Sequence, residues 1–323
     1  MSKVHAAHDH LFKLLLELPG VARALLSERL PAPLRERLEG EEPQPVPGDF
    51  IRRGLKEIRS DLVFRQPLRG GQACLYALIE HKSVRDDAVG FQLLGYLSAG
   101  WRDLRGQSEQ LGCEPLIVPL VVYHGVPEWS LPRRFSDGLP ADDALRPLLL
   151  DFPIEVFDVG RGDEMSLSSH PWLRGGLRLL RHGVRAVPRE EKRALLVSVL
   201  TDLHSAPDYF LQAAANYILN RWVPVSRKEL SRALRVAMPE KEAVVISKAA
   251  QEFIKEGVRK GVRKGRKEAT LGTEAKILLL QLSQKFGPVP EGVEKLVRVA
   301  AIAQLETWLA RVIEAKRIED IFS

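Results

Sequence analysis

The sequence predicts an α/β core followed by an all-helical C-terminal half. Short apolar runs typical of strands occur between residues 61 and 159, whereas the chain beyond Ser166 shows helical periodicity and no further strand pattern. The chain has 323 residues, of which 45% are hydrophobic. This is enough for about two domains with a sizeable core.

The first 60 residues are predicted to be helical. One face of the first helix carries four leucines: Leu11, Leu14, Leu15 and Leu18. A break rich in Pro and Glu follows over residues 41–47, and a short second helix is expected to end near Arg59.

A β-hairpin is predicted next, with strands over residues 61–67 and 74–83 around Gly70-Gly71. Two glycines suit a two-residue hairpin loop because both central positions need a positive φ. Such a loop fixes the register, with Pro67 opposite Cys74 and Arg65 opposite Tyr76. The same register places Asp61 opposite Glu80.

Three further elements complete the predicted core. Residues 86–104 carry a helical stripe of apolar residues, residues 115–123 form a nearly continuous apolar run typical of a buried strand, and residues 154–159 form another strand.

The helical half is predicted to contain helices over residues 190–204, 208–222 and 227–237, which prolines separate. We expect a division into an α/β core over 1–165, a helical extension over 166–250, a basic Gly-repeat helix or linker over 251–270 and a helical module over 271–323. Self-association, as a homo-oligomer such as a dimer, is expected through this half.

The net charge of +6 is concentrated in a Gly-Val-Arg-Lys repeat, since residues 255–268 contain seven basic and two acidic side chains. In one interpretation the repeat binds DNA phosphates without sequence choice. In the other, glycines at every fourth position pack against a helix and the basic residues are solvated. The candidate phosphate contacts are Arg259, Lys260, Arg263, Lys264, Arg266 and Lys267.

Several classes of protein are excluded by missing patterns. The N-terminus lacks a signal-peptide pattern and the apolar runs are too short to span a bilayer, so no membrane association and a cytoplasmic location are expected. Cys74 and Cys113 are too few for a disulfide framework, and we interpret both as core residues. No GxSxG or Walker pattern supports an esterase or ATPase.

The hairpin carries the candidate chemistry. Opposite each other, Asp61 and Glu80 would have Cβ atoms roughly 5 Å apart, which is destabilising unless a cation neutralises them. Lys82 would project from the same face as Glu80, and His81 from the other. Carboxylates are ligands for Mg²⁺, with Mn²⁺ or Ca²⁺ as alternatives, and a nearby lysine can orient water or stabilise charge. Metal-dependent phosphodiester hydrolysis is the reaction that fits.

The order Asp61, Glu80-His81-Lys82, Gln92 and Tyr96 resembles the PD-(D/E)XK nuclease pattern in its RecB-like form. This resemblance implies a restriction-endonuclease-like core, with a mixed sheet flanked by helices. It further implies that Gln92 points to the metal site and that Tyr96 contacts the DNA backbone.

More narrowly, the chain resembles the recombination-promoting nuclease, or YhgA-like transposase, family. The matching stretches are residues 8–13, 60–62, 78–83 and 118–125. Many relatives carry glutamine at the position of Lys82, so this chain is closer to the general nuclease pattern. The resemblance implies a divalent-metal-dependent deoxyribonuclease, an endonuclease linked to DNA recombination or mobile elements.

Two alternative functions stay open, an inactive nuclease fold used for DNA binding or assembly, and a nuclease acting on RNA or single strands. The N-terminal cluster of His5, His8, Asp9 and His10 also suggests metal binding, but an HD-type phosphohydrolase needs further spaced ligands. We expect instead a helix packed near the nuclease site, with His8 or Asp9 as accessory residues.

Overall fold

The computed structural model describes residues 3–46, 62–105, 112–188, 190–222, 225–246, 274–312, 315 and 317–322. Asp61, the expected helix end near Arg59 and the basic residues from Arg259 to Lys267 lie outside the described residues. The chain divides into two compact units, over residues 1–249 and 250–323. The four-part division predicted from the sequence stays a prediction.

The first unit begins with three helices, α1 (Lys3–Leu16), α2 (Val21–Arg29) and α3 (Ala32–Arg35). Leu11 and Leu15 are buried on one face of α1, as predicted, and Leu14 is partly buried; Leu18 is buried but lies beyond the end of the helix. A two-residue strand, β1 (Gln44–Pro45), lies within the stretch that sequence reasoning interpreted as a break. Pro45 fits there because β1 is at the edge of the sheet, where a missing N–H is tolerated.

The predicted hairpin and its register are confirmed, but the connection is longer than two residues, with the amide of Gly71 donating to the carbonyl of Leu68. Strands β2 (Leu62–Pro67) and β3 (Ala73–Lys82) are antiparallel, with Pro67 opposite Cys74 and Leu62 opposite Ile79. Gly70 and Gly71 have φ angles of 97° and 69°, a conformation that glycine adopts at little cost. The next pair in this register would be Asp61 with Glu80, which stays a prediction.

A helical crossover follows the hairpin. Helix α4 (Val89–Arg105) connects β3 to β4 (Glu114–Tyr123), which is parallel to β3, and β5 (Glu155–Asp158) is parallel to β4. The strand order is β1-β2-β3-β4-β5. The prediction of a mixed sheet flanked by helices is therefore confirmed.

Four longer helices come after the sheet: α5 (Pro171–His182), α6 (Lys192–Asp202), α7 (Asp208–Arg221) and α8 (Arg227–Ala237). Sequence reasoning missed α5. These helices share one apolar cluster with α1 and one face of the sheet, including Leu75 and Ile79. The other face, with Tyr76 and Leu78, packs against α4. The sheet thus has helices on both sides.

Cys74 and Cys113 belong to the apolar cluster between the sheet and α4, as interpreted, but their pairing was not predicted. Cys74 and Cys113 form a disulfide, with Cα atoms 5.8 Å apart. The physical reason is the strand pairing, because Cys74 lies opposite Pro115 and Cys113 comes just before β4. A Cα separation of this size is normal for bonded cysteines.

The second unit is helical where it is described. Residues 274–286 form helix α9, followed by α10 (Glu291–Val299), α11 (Ile302–Val312) and a 3₁₀ turn over Ile318–Ile321. Its apolar core includes Leu278, Leu305 and Trp308. Within the described parts of both units, no helix is long and apolar enough to cross a membrane.

Candidate functional site

The candidate site is at the carboxyl end of β3. Alternation along the strand directs Glu80 and Lys82 to the face covered by α4, and His81 to the opposite face. Glu80 is only 4% exposed. Its Oε1 atom is 2.9 Å from Lys82 Nζ. The predicted pairing of Glu80 and Lys82 on one face is therefore present.

Helix α4 brings Gln92 to the same lysine. Lys82 Nζ donates a hydrogen bond to Gln92 Oε1 over 2.8 Å. Gln92 lies in the first turn of α4, and the short connection from β3 brings this turn to the end of the strand. The structure thus joins Glu80, Lys82 and Gln92, three of the four residues predicted to be catalytic.

Asp86 is a member of this group that sequence reasoning missed. Its Oδ2 atom is 2.7 Å from Lys82 Nζ and accepts a 3.1 Å hydrogen bond from Gln92 Nε2. Its Oδ1 atom accepts a hydrogen bond from the backbone of Ala88, so Asp86 also caps the turn that begins α4. An aspartate just before a helical pattern is a capping signal, but nothing in that signal indicates contact with Lys82.

The charges in this group stabilise one another. Burial alone would lower the pKa of the Lys82 ammonium, but Glu80 and Asp86 outweigh that effect and raise it. The partial burial of Asp86 would raise the pKa of its carboxyl, but Lys82, the Ala88 amide and Gln92 lower it. Lys82 is therefore a cation and Asp86 an anion at neutral pH.

The donor chemistry of this face fits a hard divalent cation. Two carboxylates, Glu80 and Asp86, contact the same ammonium, that of Lys82. Carboxylate oxygens are the protein ligands that Mg²⁺ and Ca²⁺ prefer. Among the described residues no group of three or more His, Cys, Asp or Glu side chains is arranged to hold a metal ion. Asp61, the other predicted ligand, is outside the described residues, so the metal site stays a prediction.

Tyr96 is one helical turn beyond Gln92 on α4. Its side chain is 5% exposed and belongs to the apolar cluster between α4 and the sheet. Tyr96 therefore packs in the core between α4 and the sheet. Its contact with DNA stays a prediction.

The predicted accessory residues lie on the other face of the sheet. Asp9 Oδ1 is 3.0 Å from His81 Nδ1, and His8 Nδ1 is 2.6 Å from the hydroxyl of Tyr217 on α7. The structure therefore brings Asp9 to His81, and His8 to Tyr217 and His124. Helix α1 packs near the candidate site, as expected, but behind the strand that carries it.

Comparison with known proteins agrees with these motifs. Residues 6–209 match the model of the family described as "Putative transposase, YhgA-like". This segment contains the entire sheet and the Glu80, Lys82 and Gln92 group.

Three curated relatives from Escherichia coli are similar to part of the chain. "Recombination-promoting nuclease RpnA" of strain K12 is 32% identical over 39% of this chain and 43% of the relative. "Inactive recombination-promoting nuclease-like protein RpnE" of the same strain is 32% identical over 38% and 41%, respectively. "Recombination-promoting nuclease RpnD" of O157:H7 is 31% identical over 38% and 48%.

The chain thus spans less than half the length of each of these three relatives. No solved structure matches it.

Proposed function

This chain belongs to the YhgA-like transposase family, and we propose that it is a divalent-metal-dependent endonuclease that hydrolyses DNA phosphodiester bonds. Its role is linked to recombination, as the names of similar proteins suggest. One observation carries the proposal: the Lys82 ammonium is held between Glu80 Oε1 and Gln92 Oε1 at 2.9 and 2.8 Å.

Each residue of this group has a chemical role in the proposed reaction. Lys82, protonated at neutral pH, stabilises the negative charge that develops on the phosphate during attack by water. Gln92 fixes the ammonium by accepting its hydrogen bond. Asp86, which is more exposed than Glu80, is the partner that Lys82 releases most easily when a phosphate oxygen arrives.

Asp61 and Glu80 are the residues that would hold the cation. A bound Mg²⁺ lowers the pKa of water and neutralises phosphate charge. Glu80 suits this position because its strand is fixed on both sides by β2 and β4. The hairpin register supports Asp61 as its partner, since Leu62 and Ile79 already lie opposite each other.

The architecture supports a restriction-endonuclease-like core. A mixed sheet with helices on both faces carries Glu80 and Lys82 at the end of a strand beside α4. The basic repeat would bind DNA phosphates through Arg259, Lys260, Arg263, Lys264, Arg266 and Lys267. Tyr96, self-association through the helical C-terminal half and a cytoplasmic location belong to the same proposal.

A second candidate is an inactive nuclease fold that binds DNA or assembles with other proteins. The similarity to a relative named as inactive favours it. The presence of Glu80, Lys82 and Gln92 in mutual contact favours the active enzyme.

The test is a plasmid-nicking assay with Mg²⁺, Mn²⁺ or Ca²⁺. Wild type is measured beside Asp61→Ala and Lys82→Ala, with Arg85→Ala as the matched control, because Arg85 pairs with Asp87 and Ser130 away from Lys82. We expect nicking by wild type and Arg85→Ala only. Equal cutting by all four proteins would show that the proposed site is wrong.

The same proteins are then given RNA and single-stranded DNA of equal length. Cleavage of RNA without cleavage of DNA would reject the DNA assignment while leaving the site intact. Binding of DNA without cleavage of any substrate would favour the inactive candidate.

A further inference from the structure

His81, which separates Glu80 from Lys82 along β3, enters a buried chain of polar side chains on the opposite face. Its Nδ1 atom is 3.0 Å from Asp9 Oδ1, and its Nε2 atom is 3.1 Å from His124 Nδ1. The exposed fractions of His81 and His124 are 4% and 0%. Asp9 on α1, His81 on β3 and His124 after β4 are therefore connected without water.

The Asp9 carboxylate sets the direction of the first hydrogen bond in this network. Burial would raise the pKa of the Asp9 carboxyl, but the bond to His81 and nearby positive charge lower it, so Asp9 is an anion and accepts from His81 Nδ1–H. His81 Nε2 and His124 Nδ1 form the second hydrogen bond. Burial lowers the pKa of His124 well below its ordinary value, which keeps that ring neutral.

Neighbouring side chains hold His81 and His124 in place. The ring of Phe12 on α1 is stacked on His81, with centroids 4.4 Å apart. His8 lies edge-on to His124 and is hydrogen-bonded to Tyr217 on α7. Arg185 donates a 2.9 Å hydrogen bond to the carbonyl of His124. The chain is thus fixed to α1, α7 and the segment after α5.

We propose that Asp9, His81 and His124 are positioning residues, which set where Glu80 and Lys82 lie at the end of β3. The proposal rests on the proposed nuclease function for its catalytic readout. In this proposal Asp9 neither binds a metal nor contacts the substrate, but acts through His81.

The backbone explains how the positioning operates. The amide of His124 donates a 3.0 Å hydrogen bond to the carbonyl of Lys82, the last residue of β3. Asp9 therefore orients the His81 ring, while His124 contacts both that ring and the backbone of Lys82. Because catalytic groups must be placed within a fraction of an ångström, a small shift of this strand end reduces the rate.

The alternative is that the hydrogen bonds linking Asp9, His81 and His124 only stabilise the fold. In that case their loss would lower the melting temperature but leave the turnover of the folded protein unchanged. Among the described residues, no group of three or more His, Cys, Asp or Glu side chains is arranged to hold a metal ion.

The test uses the full chain with Asp9→Leu and Asp9→Asn. Leucine removes the acceptor, while asparagine keeps an oxygen for His81 Nδ1–H. Asp9 suits substitution because 21% of its side chain is exposed, so the protein is expected to fold. The matched control is His10→Leu, an exposed neighbour on α1. Plasmid nicking gives kcat and KM, and circular dichroism melting gives the folded fraction.

We expect Asp9→Leu to lower kcat roughly 10- to 100-fold with KM changed less than about twofold, in line with the cost of misplaced catalytic groups. Asp9→Asn should recover most of this loss, and His10→Leu should match wild type. An unchanged kcat in Asp9→Leu would overturn the proposal, as would equal losses in the leucine and asparagine variants.

Hydrogen exchange separates this proposal from the proposed function. The peptide over residues 78–83 should exchange about tenfold faster in Asp9→Leu than in His10→Leu, whether or not the protein cuts DNA. Unchanged exchange there overturns the positioning role. If wild type fails to nick DNA but exchange changes as expected, the nuclease function fails and the positioning of Glu80 and Lys82 stands. If Asp9→Leu does not fold, the comparison of His81→Asn with His81→Leu decides by the same measurements.

Discussion

The two faces of β3 at its carboxyl end differ in chemistry, although three consecutive residues form them. On one face, which we call the open face, Glu80 and Lys82 meet Gln92 and Asp86, in a charged group where Glu80 is buried and Asp86 is partly exposed. On the other face His81 is enclosed by aromatic rings and His124. Because successive side chains of a strand point to opposite faces, three consecutive residues place a charged group on one face and the side chains that hold the strand on the other.

The two faces also differ in how charge is treated. The open face keeps one ammonium among two carboxylates, an arrangement that can exchange a partner for a phosphate or a cation. The closed face contains the neutral imidazole of His124 and, at its margin, the Asp9 carboxylate. Changes to the open face should therefore affect turnover most, and changes to the closed face should affect geometry and stability.

The largest effect is expected from Lys82→Met. Loss of the ammonium removes the charge that stabilises the transition state, so kcat for plasmid nicking should fall about 10²- to 10³-fold. Glu80 is left buried without this cation, which should also lower the free energy of unfolding by about 3 kcal/mol. Kinetic assays and urea unfolding measure the two effects.

The double variant Glu80→Gln with Lys82→Met is the control for that stability loss. It should recover much of the free energy of unfolding without recovering nicking. Recovery of activity in the double variant would contradict the roles assigned to both residues.

Gln92→Leu should have the next largest effect. Leucine fills similar space but cannot accept the hydrogen bond from Lys82, so kcat should fall roughly 10- to 100-fold while the melting temperature stays nearly constant. Ser98→Ala, at an exposed position of α4, is the matched control. Turnover equal to that of Ser98→Ala would remove Gln92 from the site.

Asp86→Asn should have a smaller effect, about tenfold on kcat, because asparagine keeps an oxygen near Lys82 but loses the charge. The lowered pKa of Asp86 means that its contribution to stability is present above pH 3.8 and is lost as pH falls through the folded-state pKa. Acid unfolding of wild type and variant should therefore differ above that range and converge below it. Parallel acid-unfolding curves would argue against the ion pair.

The smallest expected effect is the contribution of His124, on the closed face, to the pH dependence of stability. Since the pKa of folded His124 is well below 6.5, the unfolded chain binds a proton there as pH falls below 6.5 and the folded chain does not. Stability from this residue is full above pH 6.5 and decreases below it, by at most about 1.4 kcal/mol per pH unit for one proton. The facing groups are His81, His8 and Arg185, and all disfavour protonation.

Urea unfolding at pH 7, 6 and 5 measures this effect, with His124→Gln as the comparison. The variant should lose less stability per pH unit than wild type. Equal slopes for the two proteins would mean that His124 takes up its proton in the folded state.

Local patterns predicted the part of the site that depends on one hairpin and one helix. The register followed from two glycines, and the approach of Gln92 followed from the motif order. Asp86 was missed because its contact with Lys82 depends on the path of the turn between β3 and α4, for which the sequence has no periodic signal. The sequence indicates only that Asp86 caps the turn that begins α4.

The contacts of His81 on the closed face could not be predicted from the sequence, for a different reason. Asp9 and His124 are separated from His81 by 72 and 43 residues, so their contacts depend on which side of the sheet α1 packs. Periodicity identifies a buried helix face but not the layer that receives it. The disulfide between Cys74 and Cys113 was missed likewise, since it needs the parallel pairing of β3 and β4.

The central claim is that the open face of β3 is a nuclease centre. The most direct test is Mg²⁺-dependent nicking of supercoiled plasmid by purified wild type and Glu80→Gln, with Arg85→Ala as the matched control. The account predicts that wild type and Arg85→Ala cut at similar rates and that Glu80→Gln is at least about 100-fold slower. Cutting by Glu80→Gln at the wild-type rate would contradict it.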